Sequence, residues 1–128
     1  MDDESATPVF GFEKLDVWND AVDFADLVYD GSTAFPDDER YGLSSQMRRA
    51  AVSVSANIAE GSGRSTRGEY AQHVGIAHGI LMEVVSLAAV ATRRGYLPTA
   101  LNDRLRREAA SIGRRLNGPR DYLTRRAK

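Results

Sequence analysis

The chain has no cysteine. Disulfide frameworks, thiolate nucleophiles, iron–sulfur ligation and cysteine-based zinc sites are therefore excluded. Lysine is almost missing too, because 15 of the 17 basic side chains are arginine. No segment alternates apolar and polar residues for long enough to specify a strand. The two histidines, His73 and His78, stand five positions apart, about 140° around a helix, so they do not converge on one metal. Glu69 and His73 are spaced for a shared face but supply only two ligands. No G-x-S-x-G elbow occurs, and the paired carboxylates Asp37 and Asp38 fall in a solvated turn. No cofactor, metal or small-molecule substrate is expected, nor is an enzyme. The start, Met1-Asp2-Asp3-Glu4, lacks the basic-then-apolar pattern of a secretory signal, so a cytoplasmic location is expected.

What remains is the composition of one ordinary globular domain: 128 residues, 42% hydrophobic and 27% charged. The net charge of −1 hides a gradient. Residues 1–40 hold 12 acidic side chains against Lys14 and Arg40, whereas residues 101–128 hold nine basic against three acidic. Such asymmetry fits either a nucleic-acid-binding end or two ends that pack together and neutralise.

The periodicity predicts four helices. Residues 1–12 have none and read as a loose leader. Over 13–30, Leu15, Trp18, Val22, Ala25 and Tyr29 form an apolar stripe, and Asp30-Gly31-Ser32 marks the end. Ser44 is the expected N-cap of a second helix over 44–62. Thr66-Arg67-Gly68-Glu69 fits a capping box opening a third over 67–94, closed by Gly95 in left-handed conformation. Thr99 should cap a fourth over 99–117, with Leu101, Leu105, Ile112 and Leu116 on one face. Asn117-Gly118-Pro119 should end it, leaving a basic tail over 118–128. Four helices on short turns predict an all-α, antiparallel, up-down four-helix bundle.

The two middle helices carry the most information. From Tyr70 to Thr92 the only carboxylate or guanidinium is Glu83. A helix apolar nearly all round is buried on every side or sits in a membrane. Gln72, His73, His78 and Glu83 argue against the membrane. A monomeric bundle leaves each helix's outer face in water, so a second copy of the chain is the expected cover. In the second helix Met47, Ala50, Ala51, Val54 and Ile58 share a core side, flanked by a polar stripe of Gln46, Arg49, Ser53, Asn57, Glu60 and Arg64. That stripe fits either groups steadying the bundle and its turns or an oligomer or ligand contact. Gly61-Ser62-Gly63-Arg64-Ser65-Thr66 superficially resembles a phosphate loop, but a helix precedes it and arginine replaces the lysine, so a glycine-rich helix junction is the plainer reading. Arg104, Arg106, Arg107, Arg114, Arg115, Arg120, Arg125 and Arg126 wrap the last helix and tail. They are candidates for RNA or DNA binding, or for a solvated basic face paired with the acidic first helix. A catalytic reading would need Asn57, Glu60, His78 and Glu83 to converge.

Several segments together resemble the four-helix bundle proteins encoded in bacterial 23S rRNA intervening sequences. They are Phe12-Glu13-Lys14-Leu15-Asp16-Val17-Trp18, Phe35-Pro36, Glu39-Arg40-Tyr41-Gly42-Leu43 and Ser45-Gln46-Met47-Arg48-Arg49-Ala50-Ala51. The most specific stretch is Val52-Ser53-Val54-Ser55-Ala56-Asn57-Ile58-Ala59-Glu60-Gly61, followed by Gly63-Arg64, Ile76-Ala77-His78-Gly79, Leu81-x-Glu83 and Gly95-Tyr96-Leu97. The chain departs from the pattern at Ile80, where serine is usual, and at Ala56, where proline is frequent. The resemblance implies an up-down bundle assembled as a ring, typically a homopentamer, with no known catalysis. Its signature falls on Gln46, Arg49, Ser53, Asn57, Glu60, Gly61, Arg64 and Glu83. A distantly similar group, the accessory variability determinants of diversity-generating retroelements, implies an alternative: a nucleic-acid-binding partner of a reverse transcriptase.

Overall fold

Four α-helices carry the chain: α1 (Asp16–Ser32), α2 (Leu43–Ser62), α3 (Arg67–Arg93) and α4 (Thr99–Ala127). Short 3-10 turns occupy Gly11–Lys14 and Asp37–Glu39. The structure, a computed structural model, describes residues 6–127, and side-chain surroundings over 6–118; no strand occurs among the described residues. The leader expected over 1–12 lies outside them for residues 1–5.

Each helix packs against its neighbours in sequence, α4 also packs against α1, and the diagonal pairs do not meet. Every helix therefore has two partners, and its core face spans the angle between them. Phe24 and Val28 from α1, Met47, Val54 and Ile58 from α2, Val74, Leu81 and Val84 from α3, and Leu105, Ile112 and Leu116 from α4 fill the centre. The α2 core set is the one its spacing indicates. In α1 the stripe is rotated: Ala21, Phe24, Ala25, Leu27 and Val28 are buried, whereas Tyr29 is exposed and Leu15, Trp18 and Val22 lie at the margin. The reason is that α1 must face α2 and α4 together, which centres its buried face between two candidate stripes. Tyr29 is covered instead by the Arg48 guanidinium, 4.9 Å from its ring centre.

The helix ends show where local signals win. Gly95 has φ 79°, and the Tyr96 N–H donates to the Ala91 carbonyl (2.9 Å) while the Gly95 N–H donates to Thr92 (3.0 Å), the paired bonds of a Schellman stop. Thr66 Oγ1 accepts from the Glu69 N–H at 3.1 Å, one bond of the expected capping box.

Other signals are overridden. α2 starts at Leu43 rather than being capped by Ser44. The Glu39 carboxylate accepts the Leu43 N–H (3.2 Å), and Ser44 is buried inside the first turn. α1 ends at Ser32, inside the expected Asp30-Gly31-Ser32 stop. Gly31 has no side chain where α4 approaches: a Cβ would lie 2.8 Å from Leu101 Cδ2. Thr99 is the first residue of α4 rather than its cap. The same helix passes through Asn117-Gly118-Pro119 to Ala127. A helix already several turns long has met its nucleation cost, and the following Arg, Leu and Ala residues are good helix formers.

The end of the leader is ordered too. The Phe10 N–H donates to the Glu13 carboxylate (2.9 Å), and Phe12 meets Trp18 edge-on at 5.0 Å.

Gly95→Ala should cost about 1 kcal/mol, because a Cβ is strained at positive φ. Urea titration should show a lower midpoint at unchanged slope.

Candidate interaction surfaces

The polar stripe of α2 runs along its outer flank. Gln46, Arg49, Glu60 and Arg64 are exposed; Ser53 and Asn57 are half-buried. Asn57 Nδ2 donates to the Ser53 carbonyl at 2.9 Å and to Ser53 Oγ at 3.3 Å, so that amide is satisfied within its own helix. Glu60 accepts from Arg64 Nη2 at 3.2 Å. Both side chains are more than 40% exposed, so the pair contributes well under 1 kcal/mol. Glu83, the eighth signature residue, stands exposed on α3. The stripe thus splits into an exposed row and a short network at the α2–α3 turn.

Gly61 explains that network. It is buried, and a Cβ there would lie 2.8 Å from His73 Cβ and 3.5 Å from Tyr70 Cδ1. Only glycine lets the end of α2 come this close to the start of α3. The approach brings Arg64 Nε to His73 Nε2, 3.1 Å away. Since the arginine donates, Nε2 accepts and the imidazole proton resides on Nδ1. That nitrogen is buried with no partner. The Gly61–Thr66 segment is therefore a close-packed corner held by Arg64.

The residues a catalytic reading would require are not gathered. Asn57 is bonded to Ser53, Glu60 to Arg64, His78 lies beside Gly113 of α4, and Glu83 is exposed. Among the described residues no three His, Asp or Glu side chains cluster for a metal.

The arginines of α4 divide by face. Arg115 Nη2 reaches Asp20 of α1 at 2.7 Å and also bonds Ser111, and Arg104 pairs with Glu108 at 3.4 Å. One ion pair, Arg115 with Asp20, thus joins acidic α1 to basic α4, while Arg104–Glu108 lies within α4. Arg106, Arg107 and Arg114 are exposed and have no carboxylate partner among the described residues. The side chains of Arg120, Arg125 and Arg126 lie outside the described residues. At the end of α3, the Tyr96 hydroxyl accepts a hydrogen bond from Arg94 and, with the more distant Glu39, raises that guanidinium's pKa above its ordinary value.

One surface escaped residue-by-residue reading. Ile76, Met82 and Val90 of α3 and Val52 of α2 are large hydrophobic side chains left 42–48% exposed. Their sequence signal is the scarcity of charge around α3, which marks a face without assigning its members. Among the described residues α3 alone is long and apolar enough to cross a membrane by length and composition, and 33% of its most apolar 18-residue stretch is buried within the chain.

The sequence profile of the 23S rRNA-intervening sequence proteins matches residues 13–118. The chain belongs to that family. Its fold is similar to the crystal structure of a protein of unknown function from the S23 ribosomal protein family of Bacteroides thetaiotaomicron VPI-5482, with a TM-score of 0.73. The likeness covers 81% of this chain and 97% of the other at 19% sequence identity. At that identity it speaks for the fold alone. No curated protein matches the chain. The family match starts within the Gly11–Lys14 turn and spans the Gly61 corner, so the signature glycine falls where an added Cβ would collide with His73.

Gly61→Ala should lose about 1–2 kcal/mol, because overpacking against His73 outweighs the roughly 1 kcal/mol gain in helix propensity. Gly63→Ala, whose Cβ would meet nothing closer than the Glu60 carbonyl at 3.7 Å, should be neutral or slightly stabilising. Parallel urea titrations of the two variants check the contrast.

Proposed function

We propose that this chain is a non-enzymatic scaffold or interaction protein of the cytoplasm that assembles from identical copies. The observation that carries this reading is the outer face of α3. Two neighbours cover two sides of that helix, and Ile76, Met82 and Val90 are left facing water, as is Val52 of α2. Leaving such side chains wet forgoes roughly 25 cal/mol for each Å² of apolar surface. A bilayer is a poor alternative cover, since Gln72, His73, His78 and Glu83 would enter hydrocarbon with it. Another copy offers apolar surface with polar groups at its rim. The exposed row Gln46, Arg49, Glu60 and Arg64 of α2 supplies polar groups for such a contact, and Glu83, seven residues from both Ile76 and Val90, shares their face of α3; charges left half-wet set register more than affinity.

Up-down connectivity fits this reading, because helices adjacent in sequence are adjacent in space and joined by short turns. Family resemblance favours a pentameric ring, in which each copy would use two different surfaces. Light scattering should give a mass of about five times the 14.0 kDa chain. Ile76→Asp combined with Met82→Asp should reduce it toward one chain mass without loss of helicity. A wild-type protein that stays at one chain mass at high concentration overturns the assembly.

Nucleic-acid binding is the second reading, favoured by Arg106, Arg107 and Arg114, which are exposed and have no carboxylate partner among the described residues. Each phosphate they neutralise would release counterions. Binding to labelled RNA or DNA should weaken steeply with salt, and the log–log slope should shrink by about one for each of Arg106 and Arg107 reversed to Glu. No binding at low salt removes this reading.

A further inference from the structure

A separate feature lies at the opposite end of α2 from the Gly61 corner. A cleft of about 210 Å³ opens between the end of α1, the Asp37–Glu39 turn and the start of α2. It is smaller than the roughly 300–1,000 Å³ that drug-sized ligands need, and fits one small polar group. Ser32, Thr33, Asp37, Arg40, Ser44 and Arg48 give it polar walls.

The charge there is unbalanced. Arg48 is half-buried, yet its bonds go to neutral acceptors: Nε donates to Ser32 Oγ at 2.7 Å and Nη2 to the Tyr29 carbonyl at 3.4 Å. Arg40 has no side-chain partner among the described residues. Neither arginine has a carboxylate within ion-pair distance among the described residues. Asp37 is the cleft's one carboxylate, which leaves it with a net single positive charge.

Ser44 is the decisive residue. It is only 7% exposed, lines the cleft, and its hydroxyl has no hydrogen-bond partner among the described residues. An oxyanion seated in the cleft supplies the acceptor that the protein does not. Ser44 and Ser45 also sit in the first turn of α2, where backbone N–H groups have no partner within the helix. Glu39 occupies the Leu43 N–H, one position earlier.

We propose that this cleft is a binding site for a phosphate-type oxyanion, held by Arg40, Arg48 and the Ser44 hydroxyl. Charge-assisted donors from two arginines and a hydroxyl match tetrahedral oxygens, and a singly charged phosphate neutralises the cleft. The site lies within one chain. It depends neither on the assembly nor on the arginines of α4.

Calorimetric titration of the full chain with inorganic phosphate, and separately with a short RNA lacking terminal phosphates, tests the site. Saturable binding is expected, weakened about tenfold by Arg40→Gln and about threefold by Ser44→Ala. Neither side chain bonds anything among the described residues, so melting temperature and helicity should not change in these variants. Tighter binding of RNA than of phosphate, with the same losses in the variants, assigns the cleft to a nucleic-acid backbone. Binding of phosphate alone assigns it to a free phosphoryl group. Absence of binding by both probes, or binding indifferent to both substitutions, overturns the proposal.

Discussion

A helix in a four-cornered bundle has only two neighbours, and α3 carries more apolar surface than two neighbours can cover. The diagonal contact that might have shielded it does not exist, since α1 and α3 stay apart. The core side of α3 is filled by Val74, Ala77, Leu81, Val84, Ala88 and Ala91, so its remaining hydrophobic residues must lie elsewhere on the helix. The surplus emerges as Ile76, Met82 and Val90. A single chain can satisfy its core and still present a surface that water does not favour.

Close approach is the device that makes the rest of the bundle compact. At Gly61 the end of α2 presses on His73 and Tyr70, and at Gly31 the end of α1 presses on Leu97 and Leu101. In both places the glycine has no unusual backbone angle; what matters is the missing side chain. Gly95 serves the other purpose, a left-handed turn that frees the chain to leave α3 and begin α4. The electrostatics are modest by comparison. Arg115 and Asp20 tie α4 to α1, but both remain partly wet and screened, so they set register more than stability.

The polar groups sort themselves by whether the protein satisfies them. Asn57, Glu60, Arg104 and Arg115 have partners within the chain. Arg40, Arg106, Arg107, Arg114 and the Ser44 hydroxyl have none among the described residues. Unsatisfied groups grouped on a surface or in a cleft are where an outside ligand gains most, because it replaces water or nothing rather than an existing bond.

The sequence alone determined the four helices, the core set of α2, the stop at Gly95 and the membership of the family, because these depend on periodicity and on short-range chemistry. It also announced that α3 was too apolar for its surroundings. Tertiary structure decided the rest. It rotated the buried face of α1 toward two partners and moved the start of α2 to Leu43 by lending it Glu39. It carried α4 past Pro119. It also chose which arginines of α4 remain free. Each outcome depends on what another segment places alongside, and spacing along a single helix carries no record of that.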